Sequence, residues 1–330
     1  MKKKLSAFTA ALLMLLSLTA CNKDEAGKGT AAGDTAAAAL SAVIVARDDV
    51  PEEDVYALTA AIFENRDALA KQHDKGGELD LDFASSVTSV PYHPGAARYF
   101  TEKGKTVAAI KDGAGTGSSR ALAFGTGGDT GTYYGLGGVL ADHIAGSTSV
   151  AVTALTSGGS LANMEDLSAD SVQLALVQSD VMSYAYKGER LFDAPVTGFS
   201  VVAALYQEPV QIVTVNPDIK SVADLAGKKV AIGVSGSGVF FNAVDILSAY
   251  GINAVSGISP VYQSFGESAG SLKDGGIDAA FLVAGVPVKA VADLAADKPV
   301  YLVGLDESHV NGLSASFPYF SACTIKDGSY

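Results

Sequence analysis

RALAFGTGGDTGTYYGLGGVLADHIA, residues 120–145, decides the architecture. Ala121 to Phe124 is a short apolar run of strand type, Gly125 to Gly131 is a glycine loop, and Tyr133 to about Ala145 has the length and periodicity of a helix. The same order recurs downstream. Ser149 to Leu155 reads as a strand and Thr156 to Ser160 opens a second helix; Val172 to Val177 is a strand and Gln178-Ser179-Asp180 opens a third. Ala203 to Val215 is a long extended run. Lys229 to Val234 is a strand, Ser235 to Gly238 opens a helix that reaches Tyr250, and Ile277 to Val283 and Val300 to Val303 complete the series. Strands alternating with helices predict an α/β fold with largely parallel sheets, and the lack of a fixed repeat length excludes a solenoid.

The loops share one chemistry. Gly125 to Gly131, Thr156 to Ser160 and Ser235 to Gly238 combine glycine with hydroxyls, and Gln178 to Asp180 is polar. Each precedes a helix N-terminus, where free N–H groups and the helix dipole favour an anion. In an open α/β sheet such loops share the edge at the carboxyl ends of the strands, so they can converge on a small carboxylate. Helix capping alone explains any one of them. Thr126, Ser160 and Ser237 are the expected hydroxyl donors, and Gln178 or Asp180 the expected partner of a second polar group, Asp180 suiting an amine. A dinucleotide is disfavoured: the strand after the first loop ends Leu155-Thr156-Ser157, without an acid for a ribose, and Asp129 would repel a pyrophosphate. No cofactor is implied.

Upstream of this core, Ser41 to Ala46 is a β-branched run that ends at a turn, Arg47 to Pro51. Pro51, Glu52, Glu53 and Asp54 then suit the first turn of a helix whose stripe Val55, Leu58, Ile62 and Leu69 needs a partner surface. Asp112 to Ser119 (DGAGTGSS) is a glycine-serine linker. At the start, Lys2 to Lys4 and the apolar run Leu5 to Thr19 have the layout of a signal peptide, too short to span a bilayer. Leu18-Thr19-Ala20-Cys21 resembles the lipobox of bacterial lipoproteins, which implies cleavage before Cys21 and acylation of its thiol. Residues 22–39 are small and polar and read as a flexible tether.

The net charge of −13, spread along the chain, argues against nucleic acid, which needs clustered Lys and Arg. Two cysteines, Cys21 and Cys323, make no disulfide framework, and four scattered histidines, His73, His93, His143 and His309, make no metal site. None of these has a sequence-local partner of the kind a Ser-His-Asp or Cys-His unit requires, so the chain is not expected to be an enzyme.

Several segments together resemble the TAXI-type solute receptors of TRAP transporters: Ala123 to Tyr134 (AFGTGGDTGTYY), Thr156 to Ser160, Val177 to Asp180, Ala204 to Val210 (ALYQEPV), Ser221 to Lys229 (SVADLAGKK), Ile277 to Phe281 (IDAAF), and on in order to Tyr330. The resemblance implies a two-lobed, type II periplasmic-binding-protein fold with solute between the lobes. Family ligands include glutamate, glutamine and dicarboxylates, delivered to an ion-driven membrane permease. Carried over, the cleft would be lined by Thr126, Gly127, Gly128, Gly131, Tyr133, Tyr134, Thr156, Ser157, Gly159, Ser160, Gln178, Asp180, Ser235, Gly236, Ser237, Gly238 and Phe281. Glu53 to Thr59 (EDVYALT) and His93 to Phe100 (HPGAARYF) resemble the family's carboxyl-terminal portion, yet here they precede the core. The order therefore looks circularly permuted. The expected organisation is a signal over 1–20, a tether over 22–39, the permuted segment over 40–119, a first lobe over 120–207, and a second lobe with hinge over 208–330. In that order, Ala42 to Ala46 should pair with Val210 to Val215, the helix from Pro51 should pack on the lobe that holds Phe124, and His93 starts a structural helix.

The reading is an extracytoplasmic, lipid-anchored receptor for a small organic anion. A binding protein that feeds a sensor, or an exported enzyme on the same scaffold, are the alternatives. Mass spectrometry of the mature protein should find acylated Cys21 as its first residue; an uncut signal or a free Cys21 thiol on a longer chain would contradict this.

Overall fold

A computed structural model of the chain describes residues 33–116 and 121–330. The signal, Cys21 and most of the expected tether lie outside the described residues. The first strand, β1 (Thr35–Arg47), begins four residues before the tether was expected to end. Its alanines are poor strand formers, but Thr35 to Ala39 pair antiparallel with β10 (Ser321–Ile325), and Ala37 to Ala39 are buried. Small side chains fit a strand that is covered on both faces; the local composition was overridden by tertiary pairing.

After β1 come α1 (Glu52–Glu64), the short helices α2 (Arg66–Ala70) and α3 (Leu81–Ala84), and α4 (Pro94–Glu102). The first lobe continues with β2 (Leu122–Gly125), α5 (Thr132–Ser147), β3 (Val152–Leu155), α6 (Ser160–Ser168), β4 (Leu174–Gln178) and α7 (Ser179–Lys187). A 16-residue strand, β5 (Phe199–Thr214), leads to the second lobe. That lobe holds β6 (Lys229–Ala231), α8 (Val239–Ala249), β7 (Ser259–Val261), α9 (Phe265–Asp274), β8 (Ala279–Val283), α10 (Lys289–Asp297), β9 (Tyr301–Leu302) and α11 (Glu307–Ser316) before β10.

The strands run in the order β3-β2-β4-β1-β5-β8-β6-β7, with β9 also on β5 and β10 on β1. Within each lobe the core is parallel, β3-β2-β4 and β7-β6-β8, as the alternation of strand and helix requires. The two long strands run antiparallel to their neighbours, so the sheet is mixed rather than largely parallel.

The expected pairing of Ala42 to Ala46 with Val210 to Val215 is not formed. Ala42 to Ala46 lie between β4, in register Ala42↔Gln178 to Ala46↔Leu174, and the first half of β5, from Ala42↔Tyr206 to Arg47↔Phe199. Val210 to Val213 are taken by β8. The antiparallel register explains the shift: moving along β1 towards Arg47 moves back along β5 towards Phe199. A boundary at 207/208 therefore falls inside one unbroken strand.

The helix from Pro51 does pack on the lobe of Phe124. Val55, Leu58 and Ile62 are fully buried in one core with Phe124, Leu140 and Leu176. Gly95 lets α4 cross α1 at contact, since a Cβ there would lie 2.2 Å from the Glu52 carbonyl oxygen. Arg98 stitches the crossing through Glu52 and Glu53, at 2.8 Å each, and stacks over Tyr56. The second lobe has its own apolar layers on the two faces of β6 and β8: Phe281, Val230 and Ile246 on one, Ala280, Leu282 and Val291 on the other.

His93 caps α4. Its Nδ1 accepts from the Gly95 N–H (3.3 Å), so Nε2 carries the proton and donates to the Val50 carbonyl (3.1 Å). Burial pulls its pKa down to about 4. The folded form thus resists a proton that the unfolded chain takes up near 6.5, and the His93 contribution is present above that pH and lost as pH falls towards 4. The full loss is on the order of 3 kcal/mol. Buried Asp180 and Glu208 have raised pKa values and carry the opposite sign, so the comparison isolates one residue. The stability advantage of wild type over His93→Asn in urea should shrink between pH 6.5 and 4; a gap independent of pH would show that His93 is protonated in the fold.

Candidate functional site

The carboxyl ends of β2, β3 and β4 face those of β6 and β8 across the joint between the lobes, and the loops that follow them enclose a cavity of about 210 Å³. The first turns of α5, α6 and α8 line it, through Gly131 to Tyr133, Gly159-Ser160 and Gly238-Val239. None of these helices has a side-chain cap, which leaves first-turn N–H donors for a ligand. Gly159 sits at φ 103° and ψ −160°, a conformation reserved for glycine, and this bend delivers α6 to the cavity.

Of the residues expected at the site, Gly127, Gly128, Gly131, Tyr133, Ser157, Gly159, Ser160, Gln178, Ser237 and Gly238 line the cavity. Thr126, Tyr134, Thr156, Asp180, Ser235, Gly236 and Phe281 do not. Thr126 is fully buried below its loop, where its hydroxyl donates to the Leu155 carbonyl (2.6 Å). Tyr134 lies on the outer face of α5 and is exposed. Asp180 is fully buried behind Gln178; its Oδ2 accepts from Asn242 (2.8 Å), its Oδ1 has no partner, and burial raises its pKa to about 7. It bonds across the joint to Asn242 and does not line the cavity. Phe281 belongs to the second lobe's core, while Val283, two residues further along the same face of β8, reaches the cavity. The expected hydroxyls also have internal partners: Ser237 Oγ donates to the Val234 carbonyl, and Ser160 Oγ accepts from the Gln178 N–H.

Thr130, Thr132 and Gly158, inside the expected loops, line it too, and residues that the sequence reading missed complete the wall: Glu208, Val234, Val239, Gln263, Ser264, Phe265, Val283 and Ala284. Glu208 lies near the middle of β5, and Tyr133 Oη donates to its Oε2 (2.8 Å). Burial raises its pKa well above the usual carboxylate range, and the neighbouring Tyr133 hydroxyl bond only partly offsets this. A lone acid inside the apolar run Ala203 to Val215 was the available signal, because a carboxyl in a buried strand calls for a reason. Gln263 to Phe265 follow β7 and carried no glycine, so the loop pattern passed over them. Among the described residues, no Lys, Arg, His or Cys lines the cavity, and no group of three His, Cys, Asp or Glu could hold a metal ion. No helix among them is long and apolar enough to cross a membrane.

The lobes touch around the cavity. The Ala162 N–H donates to the Gly236 carbonyl (3.2 Å), and Thr132 Oγ1 to the Gly285 carbonyl (3.3 Å). Behind it, Arg190 donates to both oxygens of Asp245, at 2.9 and 3.0 Å.

A cleft protein of two α/β lobes closed on one small cavity is the class that this geometry defines. The chain belongs to the NMT1-like family, whose model matches residues 18–104 and 124–330 and so breaks across the glycine-serine linker. Among solved structures the chain is similar to the alkanesulfonate-binding protein SsuA from Xanthomonas axonopodis pv. citri bound to MOPS, at 18% identity over 57% of this chain and 62% of that one, with a TM-score of 0.39. It is similar to the periplasmic aliphatic sulphonate binding protein SsuA from Escherichia coli, at 19% identity over 57% of each chain and a TM-score of 0.37. An ancestral arginine-binding protein bound to glutamine is similar at 20% identity over 56% of this chain and 79% of that one, with a TM-score of 0.40. The chain spans about three fifths of the length of the two sulfonate-binding proteins, 62% and 57%.

The tightest contact in the wall is between Gln178 and Gly238, where a Cβ would lie 1.5 Å from Gln178 Oε1. Gly238→Ala must move either the amide or a lobe. It should cost about 1–3 kcal/mol in denaturant unfolding and displace Gln178 in a crystal structure; wild-type stability with Gln178 in place would contradict the closed packing.

Proposed function

We propose that the chain is an extracytoplasmic receptor that holds a small organic carboxylate between its lobes and delivers it to a membrane transporter. The observation that carries this reading is the cavity itself: three uncapped helix N-termini, from two separate lobes, converge on a space too small for anything but a small molecule. Drug-sized ligands occupy roughly 300–1,000 Å³, so about 210 Å³ fits a metabolite of a few carbons. The carboxylate would lie on the N–H groups of the first turns of α5, α6 and α8, with Ser157, Ser160 and Ser237 beside it. The protein's net negative charge opposes an anion at long range, but salt screens that field beyond about 8 Å, while the N–H donors act at contact. The local dipoles therefore win.

The partner is a TRAP-type permease on the strength of the motif series from Ala123 to Tyr330, and acylated Cys21 holds the receptor at the membrane surface. The chain is a permuted form of the receptor: the segment carrying β1, α1 and α4 precedes the core in sequence, yet β1 lies between β4 and β5 in the sheet. An enzyme on this scaffold would need a nucleophile facing a base across the cavity. Among the described residues, Glu208 is the one carboxyl that lines it, and its hydrogen-bond partner is Tyr133.

A thermal-shift screen of the mature protein against small carboxylic acids and their primary amides tests the reading. A carboxylate at 100 times its Kd should add about 2.7 kcal/mol of stability and its amide much less. Equal stabilisation by the amide, or none by any carboxylate, would place the ligand elsewhere.

A further inference from the structure

Glu208 is 1% exposed, lines the cavity, and uses only one of its oxygens. Oε2 accepts from Tyr133 Oη; Oε1 is buried without a hydrogen-bond partner. A buried oxygen left open at a cavity wall is a strong demand for a donor. A ligand carboxylate cannot meet it while it also lies on the helix N-termini, because it brings only acceptors. The rest of the wall narrows the choice. Phe265, Val239, Val283 and Ala284 are apolar, and among the residues that line the cavity none is Lys, Arg or His. A second carboxylate, as in a dicarboxylate or an acidic amino acid, would find no countercharge there and would lie in reach of an acid.

We infer that the cavity binds an α-amino acid with an uncharged side chain, its ammonium group on Glu208 Oε1, its carboxylate on the helix first turns, and its side chain against Phe265 and Val239. This deepens the receptor reading and rests on it. Recognition at two charged ends a few ångströms apart also fixes the ligand's orientation, which the apolar wall cannot do.

Ammonium binding carries a proton signature. Four titratable groups act on Glu208: Tyr133 on α5, Tyr206 on its own strand, Asp180 on α7, and Lys75 in the 3₁₀ turn Asp74–Glu78. Asp180 opposes ionisation and Lys75 favours it, but burial dominates and raises the pKa of the carboxyl. An incoming ammonium ion works against that shift and favours the ionised carboxyl, with which it pairs. Wherever the empty site carries a proton, that proton passes to water on binding, and affinity rises with pH over that range.

The test is calorimetry on the mature chain with alanine, valine, leucine and glutamine, the matching 2-oxo and desamino acids, glutamate and succinate, in two buffers of different ionisation heat. An uncharged amino acid should bind, with a proton release that grows as the pH is lowered. Its 2-oxo and desamino analogues should bind about ten- to a hundredfold more weakly. Glu208→Gln keeps an oxygen for Tyr133 and removes the charge; it should abolish both the proton release and the preference for the amine. Best binding by succinate, glutamate or a desamino acid, or an unchanged affinity in Glu208→Gln, overturns the assignment of the ammonium group while the carboxylate site stands. If no carboxylate binds at all, the receptor reading falls with it. Should Glu208→Gln fail to fold, the analogue comparison on wild type decides alone.

Discussion

Everything in this molecule hangs on the antiparallel pairing of β1 with β5. The two strands run from Ala39↔Pro209 to Arg47↔Phe199, through the middle of a sheet that serves both lobes. Each then changes partner. β1 leaves β4 for β10, and β5 leaves β1 for β8 and β9. Pro209 stands where the ladder changes hands. Proline has no N–H to give, and a strand tolerates it where regular pairing is interrupted. The lobes are thus joined by two strands that are paired with each other up to Ala39 and Pro209 and take other partners beyond that point. Glu208 is the residue before that change of partner, so the cavity wall includes the piece of chain that joins the lobes.

Closure is maintained away from the cavity as well as across it. Arg190, in the turn that follows the first lobe's α7, donates from Nη2 to both carboxylate oxygens of Asp245 of α8, and its guanidinium lies 4.7 Å from the Tyr184 ring and 5.7 Å from those of Phe241 and Phe317. Asp245 is largely buried, and burial raises its pKa against the pull of Arg190. Opening the lobes would strip a half-buried cation of its partner and hydrate the acid, with modest net effect because water replaces what the protein gave. Asn242 on Asp180 repeats the arrangement deeper in the joint. Contacts that are satisfied when closed and tolerable when open are suited to a cleft that must do both.

Much of this was legible in the sequence, for identifiable reasons. Strand, glycine loop and helix follow each other from Ala121 onwards, and period and turn chemistry are local signals. The stripe of Val55, Leu58 and Ile62 announced a buried face, and the face is buried. The glycine loops converge because parallel strands bring their carboxyl ends to one edge. What failed was whatever depended on partners distant in sequence. Thr35 to Ala39 looked like tether because alanine has little strand preference; only pairing with β10 makes it a strand. The register of β1 followed from which strand already occupied Val210 to Val213. Phe281 and Val283 lie on one face of one strand, and depth alone separates core from cavity. Thr126 and Asp180 carry the right groups but spend them on Leu155 and Asn242.

The proposed place for the solute is between the lobes, on the first turns of α5, α6 and α8. A crystal structure of the protein with a ligand identified by its binding heat tests this most directly. One solute molecule should be enclosed by both lobes, its carboxylate within hydrogen-bond distance of first-turn N–H groups of α5, α6 or α8. A second groove lies outside the cavity, lined by Tyr184, Arg190 and Tyr319 among others; solute there, with the cavity holding only water, would overturn the proposal.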